Sequence, residues 1–141
     1  TLYQEVILDH YKNPLNKKLS PTFDVQVHHI NPSCGDEITL NLSAVDGVIT
    51  AITWDGVGCS ISQASVSIAS GLLIGKTFEQ AQAISDEFVD LMQSKGKKIG
   101  DEATLEDAVA LAGVSQYPDR IKCALLGWMA IKDASIQTQT K

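Results

Sequence analysis

The sequence predicts an α+β fold in which a small three-stranded antiparallel sheet packs against helices. From Val25 to Trp54 apolar residues alternate with polar ones, as they do in half-buried strands, and Asp46-Gly47 interrupts the alternation with a hairpin turn signal. On either side of this stretch apolar residues recur at helical spacing. Because 141 residues are enough to bury a hydrophobic core, we expect a single domain over residues 1–141.

The N-terminal half predicts one helix followed by three strands. Asn13-Pro14 ends the helix, because proline disfavours helical backbone in the residue before it, and residues 17–21 form a polar connector. Asp55-Gly56 is expected to close the third strand. The predicted inward positions are Leu2, Val6, Ile7 and His10 in the helix and Val25, Val27, Ile38, Leu40 and Leu42 in the strands. The predicted outward strand positions are Gln26, His28, Thr39, Asn41 and Ser43.

After Gly58 the sequence predicts helices to its end. The first of them ends before Gly75, a residue type typical of the position after a helix. Thr77 and Gln80 have the spacing of a capping box and begin the next helix. The predicted inward positions of these two helices are Ile61, Ala64, Ile68 and Leu72, then Ala81, Ile84, Phe88 and Leu91.

The last third of the chain predicts a charged loop, a short helix and a long helix. The loop covers residues 95–104, and Thr104 is expected to cap a short helix that ends at Gly113. Pro118 suits the first turn of the long helix. The predicted inward set of that helix is Ile121, Ala124, Leu125 and Trp128.

Composition excludes several classes of function. A formal charge of −6 disfavours nucleic-acid binding, which needs clustered cations, and the short lysine clusters at 12–18 and 95–98 are interpreted as solvated surface. No apolar run is long enough for a membrane span, and residues 1–5 lack the pattern of a signal peptide. Three cysteines argue against a disulfide framework, so we expect reduced thiols in the cytoplasm.

The three cysteines do not fit the interpretation of small buried hydrophobes. Cys34 lies in a predicted turn, and Cys59 lies just before a helix, where backbone N–H groups stabilise a thiolate. Cys123 points roughly 140° away from the centre of the apolar stripe of the last helix, at about 100° per residue. We therefore expect Cys123 to face away from the core.

A metal or sulfur site explains these positions better. Cys34 and Asp36 are two residues apart, so on an extended backbone both side chains leave the same face. The hairpin returns the chain toward that end of the sheet before Cys59, and Cys123 is the remaining thiol. Three thiolates and one carboxylate suit tetrahedral zinc, and the thiolates alone suit an iron–sulfur cluster.

Two other interpretations of the cysteines stay open at this point. They could be independent buried thiols. Alternatively, Cys34 could be the nucleophile of a thiol enzyme, with His28 or His29 as its base. The competing expectation is that both histidines lie on the solvent face of a strand and that His10 is structural or exposed.

Several short motifs are spread over nearly the whole sequence. They are Tyr3, Asp9-His10-Tyr11, Asn13-Pro14, Asn31-Pro32-Ser33-Cys34-Gly35-Asp36 and the run from Gly56 to Ser65. These motifs resemble those of the IscU/NifU/SufU family of iron–sulfur cluster assembly proteins. The resemblance implies the α+β fold already predicted and a site formed by Cys34, Asp36, Cys59 and Cys123.

Two departures make the chain similar to the SufU branch of that family. Scaffold-type IscU members carry a histidine immediately before the third cysteine, where this chain has Lys122. The interval from Cys59 to Cys123 is also long. In addition, residues 117–122 lack the Leu-Pro-Pro-Val-Lys element that recruits a dedicated chaperone in the IscU branch.

The SufU-type resemblance implies tightly held zinc and a PLP-dependent cysteine desulfurase of the SufS type as partner. Cys34 would accept persulfide sulfur and the protein would pass it to a downstream scaffold or apo-protein, acting with the desulfurase rather than as an independent enzyme. Arg120 either assists the thiolates and the partner or is a surface arginine. The alternatives are a scaffold that assembles an iron–sulfur cluster on the same ligands, and a zinc-stabilised interaction domain without sulfur chemistry.

Overall fold

A computed structural model describes residues 2–140, and of Leu2 only the backbone, so the predicted inward position of the Leu2 side chain lies outside what is described. The predicted α+β fold is confirmed: three antiparallel strands follow an N-terminal helix, and helices complete the chain. The elements are α1 (Leu2–Lys12), β1 (Val25–Asn31), β2 (Asp36–Val45), β3 (Val48–Val57), α2 (Ser60–Leu73), α3 (Phe78–Met92), α4 (Glu102–Leu105), a 3₁₀ segment (Glu106–Gln116) and α5 (Pro118–Gln139).

The sheet has the order β1-β2-β3, and its inner face carries the predicted apolar residues. Asp46 and Gly47 both have positive φ, 52° and 78°, which is the backbone of the predicted hairpin turn. Asn41 was expected to face solvent, but it is buried. Its amide donates to the Ser20 carbonyl at 2.9 Å and accepts from Gln26 at 2.8 Å, because the connector before β1 covers this part of the outer face.

The third strand is longer than the sequence predicts. Asp55-Gly56 does not close it, since β3 continues to Val57 and Gly56 pairs with Ile38 of β2. A Cβ at Gly56 would lie 2.2 Å from the Glu37 carbonyl oxygen. The glycine therefore permits a close approach of two strands, and the extension carries β3 to the end of the sheet where Asp36 begins β2.

The predicted helix boundaries at Gly75, Thr77 and Pro118 are confirmed. Gly75 follows α2 with φ +88°, and Thr77 and Gln80 form both hydrogen bonds of a capping box at the start of α3. Pro118 occupies the first turn of α5. The prediction for Thr104 is wrong: Asp101 caps α4 by accepting from the Ala103 N–H at 3.1 Å, and the chain continues as a 3₁₀ segment to Gln116.

The core lies between the inner face of the sheet and the helices. The Phe88 and Trp128 rings stack with centroids 4.2 Å apart, joining α3 to α5, and Trp54 is fully buried from the sheet side. These buried contacts join the strands to the helices, and they therefore support a single domain. The single domain stays a prediction. No helix within residues 2–140 is both long and apolar enough to cross a membrane.

Candidate metal centre

The turn between β1 and β2 places Cys34. The Asn31 carbonyl accepts from the N–H groups of Cys34 and Gly35, at 3.2 Å and 2.9 Å, and Gly35 has φ +70°. The Asn31 side-chain oxygen also accepts from the Ser33 N–H at 3.3 Å. The turn predicted at Cys34 is therefore confirmed, and Cys34 is half-buried.

The junction between β3 and α2 places Cys59 beside Asp36. Cys59 holds the N-cap position of α2, as predicted, and its N–H donates to Asp36 Oδ1 at 3.0 Å. Gly58 makes this approach possible, because a Cβ there would lie 2.4 Å from Asp36 Oδ1 and 2.5 Å from Ser62 Oγ. The carboxylate of Asp36 consequently occupies the space that any other residue at position 58 would need.

The first turns of α5 bring Cys123 to the same place. Cys123 is fully buried, so the prediction that it faces away from the core is wrong. The reason is that α5 is covered on two sides: Trp128 faces the helices, whereas Cys123 faces the end of the sheet. Its Sγ lies 3.0 Å from Cys34 Sγ and 3.8 Å from the Asp119 carbonyl oxygen.

Together these elements form a cluster that could hold a metal ion. Ligand atoms of Cys34, Asp36 and Cys123 all lie within 4.8 Å of one another. The Cys59 thiol lies outside that group, although its side chain interacts with the Cys123 thiol. Burial, followed by the neighbouring Cys34, Asp36 and Cys59 side chains, raises the pKa of Cys123 far above its usual range. In this environment the thiolate needs a cation to stabilise it.

The Asp36 carboxylate supplies the clearest sign that a cation fits. It is fully buried, and its Oδ2 has no hydrogen-bond partner. A buried carboxylate oxygen without a partner is costly unless a cation binds it. The Cys34 and Cys123 thiols and this oxygen are donors that a divalent ion such as zinc accepts.

The histidines do not belong to the cluster. His28 pairs with Glu37 at 2.7 Å and His29 with Asp133 at 2.8 Å, on β1. His10 is buried between α1, α2 and the 3₁₀ segment, which confirms its structural interpretation. Neither His28 nor His29 is bonded to Cys34 within residues 2–140. The thiol-enzyme interpretation thus gains no support, and the contact between Cys34 and Cys123 disfavours independent thiols.

A surface concavity of about 380 Å³ opens beside Cys34. Arg120 and Lys122 are exposed and contribute two cations to its wall, although the chain as a whole is acidic. Ser33 and Asp119 complete the lining. Arg120 therefore lies where it could act on an incoming anionic group, as one of the two sequence interpretations expected.

Sequence reasoning missed Asn31 and Gly58 as parts of the site. The sequence indicates Asn31 only as part of the motif that ends at Asp36, yet in the structure Asn31 stabilises the turn. The sequence indicates Gly58 only as the residue that precedes the helical part of the chain. A glycine directly before a candidate ligand is the signal that could have indicated close backbone packing.

A family model described as the NifU-like N-terminal domain matches residues 2–124. The chain belongs to that family. The motifs around Cys34 and Cys59 had indicated this membership, and the match covers these two residues and Cys123. The family also contains relatives that align with this NifU-like chain over most of their own length.

Two such relatives are bacterial. A zinc-dependent sulfurtransferase SufU from Bacillus subtilis is 44% identical over 94% of this chain and 88% of its own. An iron–sulfur cluster assembly scaffold protein IscU from Streptococcus pyogenes is 40% identical over 94% of this chain and 82% of its own. The chain is thus similar both to a protein named SufU and to one named IscU.

Solved structures agree with the fold. The N-terminal part of a nitrogen-fixing NifU-like protein from Brucella abortus superposes with a TM-score of 0.89 at 25% identity, covering 99% of this chain and 95% of that one. A candidate iron–sulfur cluster assembly scaffold protein of the SUF system from Fervidobacterium islandicum has a TM-score of 0.85 at 32% identity, covering 93% and 94%.

Proposed function

We propose that this protein is a zinc-dependent sulfur acceptor in iron–sulfur cluster assembly. It takes persulfide sulfur from a PLP-dependent cysteine desulfurase, of the SufS type, and passes it to a downstream scaffold or apo-protein in the cytoplasm. The names of the Bacillus subtilis and Streptococcus pyogenes relatives support the assembly role. The observation that carries the proposal is the cluster of the half-buried Cys34 with the buried Asp36 and Cys123, together with the unpartnered carboxylate oxygen.

The proposed zinc ligands are Cys34, Asp36, Cys59 and Cys123. Bound zinc keeps coordinating thiols deprotonated. The chain supplies the rest of the environment: Cys123 is shielded from water, the Cys59 N–H fixes Asp36, and Asn31 fixes the turn that carries Cys34.

Cys34 is the proposed sulfur acceptor, because it lines the concavity, whereas the half-buried Cys59 is not among the lining residues and Cys123 is fully buried. Its thiolate attacks the terminal sulfur of the desulfurase persulfide. A new sulfur–sulfur bond forms on Cys34 as the bond in the donor persulfide breaks, and the donor cysteine leaves as a thiolate. The sulfane sulfur changes carrier without any external oxidant or reductant. Arg120 and Lys122 are placed to attract the anionic persulfide.

The test combines metal analysis with a desulfurase assay. The protein is purified anaerobically after expression with iron and zinc, and its metals and acid-labile sulfide are measured. Cysteine turnover by the desulfurase is then followed with wild type, Cys34→Ala and Ser33→Ala. We expect about one zinc per chain, strong stimulation by wild type and Ser33→Ala, and no stimulation by Cys34→Ala.

Other outcomes identify the alternatives. Iron with acid-labile sulfide would make the protein a scaffold whose cargo is the cluster. Zinc with no stimulation by wild type would indicate an interaction domain without sulfur chemistry. Undiminished stimulation by folded Cys34→Ala would remove Cys34 from the acceptor role.

A further inference from the structure

Asn31 carries a second unpartnered polar atom at the same end of the sheet. The residue is only 8% exposed, and its Nδ2 is buried and has no hydrogen-bond partner. Buried amide donors are nearly always paired in folded proteins, and an unpaired one costs free energy. The unpaired Nδ2 of Asn31 therefore needs a physical explanation.

The orientation of the amide is fixed by its other end. Oδ1 accepts from the Ser33 N–H, so the two-proton Nδ2 is the group left over. The Asn31 carbonyl is likewise committed, since it accepts from the Cys34 and Gly35 N–H groups. Asn31 is therefore folded over the turn that presents Cys34, with only its amide donor unused.

The register places this donor beside the metal centre. Asn31 and Asp36 are direct partners in the β1–β2 ladder, so their side chains leave the same face of the sheet, with Cβ atoms about 5 Å apart. Nδ2 and Asp36 Oδ2 do not bond to each other. Asp36 Oδ2 is an acceptor that suits a cation, and Asn31 Nδ2 is a donor that suits an anion. The anions of this site are the Asp36 carboxylate and the thiolate sulfurs, and Nδ2 is bonded to none of them in this structure. Cys34 is the thiolate carried by the turn that Asn31 holds.

We propose that Asn31 is a positioning residue whose Nδ2 donates a hydrogen bond to the anionic sulfur on Cys34. That sulfur is the metal-bound thiolate before transfer and the terminal persulfide sulfur after it. Only the hydrogen bond to the persulfide depends on the proposed sulfur-acceptor function. Hydrogen-bond partners around a metal site orient its ligands and tune their electron density. A hydrogen bond from Nδ2 would therefore withdraw electron density from the thiolate. It would also lengthen the lifetime of the persulfide on Cys34.

The decisive variant is Asn31→Asp, which keeps Oδ1 for the Ser33 N–H and replaces the donor with an acceptor. Asn13→Asp is the matched control, because it makes the same substitution at an exposed residue just after α1 that is not among the residues lining the concavity. Both proteins and wild type are loaded with Co²⁺, and the sulfur-to-cobalt charge-transfer band is recorded. Separately, each zinc-loaded protein is incubated with desulfurase and cysteine, and the half-life of the Cys34 persulfide is followed by mass spectrometry.

We expect Asn31→Asp to shift the charge-transfer band to longer wavelength and to shorten the persulfide half-life about tenfold, with Asn13→Asp close to wild type in both. An unchanged band and half-life in Asn31→Asp would overturn the inference, as would equal shifts in Asn13→Asp. If Asn31→Asp binds no Co²⁺, Asn31→Ala, which adds no charge, is judged by the same criteria. If wild type forms no persulfide, the sulfur-acceptor function fails, whereas the cobalt band still decides the role of Asn31.

Discussion

Two buried polar clusters of this protein differ in how completely they are hydrogen-bonded. The first, the His10 clasp, consists of His10, Ser67 and Asp107. His10 Nδ1 lies 2.8 Å from Ser67 Oγ and Nε2 lies 2.9 Å from Asp107 Oδ2. Ser67 Oγ also accepts from the Leu15 N–H at 2.8 Å. The clasp joins α1, α2 and the 3₁₀ segment, and its buried groups have partners within the chain.

The second cluster, the metal centre, is incomplete by the same standard. Asp36 Oδ2 and Asn31 Nδ2 are buried without partners, although its backbone groups are bonded. From residue types alone, the His10 clasp would have been the better candidate for a functional site, because serine, histidine and aspartate are the residues of a catalytic triad. Ser67 is fully buried and already bonded, so it cannot act as a nucleophile. Unfilled hydrogen-bonding capacity marks the functional cluster, and filled capacity marks the structural one.

The largest expected effect comes from removing the metal. If zinc is present at about a thousand times its dissociation constant, a chelator should lower the free energy of unfolding by about 4 kcal/mol. Asp36→Asn should abolish most of that difference while leaving the metal-free protein at least as stable as metal-free wild type. Urea denaturation with and without chelator measures both quantities. A large loss of stability in the metal-free variant would show that Asp36 is structural, as His10 is.

Removing the His10 clasp should act on the fold and not on the metal. His10→Ala leaves the buried Ser67 hydroxyl without its histidine partner, so we expect a loss of about 1–3 kcal/mol in unfolding free energy with unchanged zinc content. His28→Ala is the control, since the His28 and Glu37 side chains are 47% and 49% exposed. Its effect should stay within about 0.5 kcal/mol. Loss of zinc from His10→Ala would erase the distinction between the clusters.

Gly58 tests the packing around Asp36. Gly58→Ala introduces a Cβ that must displace the Asp36 carboxylate, and we expect the affinity for zinc to fall about 10- to 100-fold. Gly113→Ala is the matched control, because its added Cβ would have no atom within 4 Å other than those of its own stretch of backbone. Competition with a coloured chelator gives the two affinities. Equal affinities in the two variants would contradict the proposed role of Asp36 as a ligand.

The smallest effect concerns the pair of His29 and Asp133, which is fully bonded but partly exposed. The hydrogen bond with His29, and then that with Gln137, lowers the pKa of Asp133 from its usual 3.8. The resulting stabilisation is therefore complete above about pH 5 and is lost as the pH falls through the lower folded value. Because Asp133 is 40% exposed, Asp133→Asn should cost less than about 1 kcal/mol near neutral pH and nothing near pH 2. A pH-independent difference in urea denaturation would argue against this pair.

The sequence predicted most of the fold because its signals are local. The alternation around Asp46-Gly47, the capping box at Thr77 and the position of Pro118 each depend on a few neighbouring residues, and each was confirmed. The prediction that Thr104 caps the short helix was wrong because Asp101, three residues earlier, has a side chain that can cap a helix equally well. Local sequence rules did not decide which of the two residues would be the cap.

The same local reasoning named Cys34, Asp36, Cys59 and Cys123 as one candidate site, but it could not supply their environment. Burial of Cys123 depends on α5 being covered on two sides, and a single apolar stripe cannot reveal a second covered face. The absence of a side chain at Gly58 and the unused donor of Asn31 became meaningful only when the β1–β2 turn, the end of β3 and the start of α5 met at one end of the sheet. Residue identity determined which atoms could bind a metal. Tertiary contacts decided which of them lack partners, because hydrogen-bond satisfaction depends on the folded surroundings.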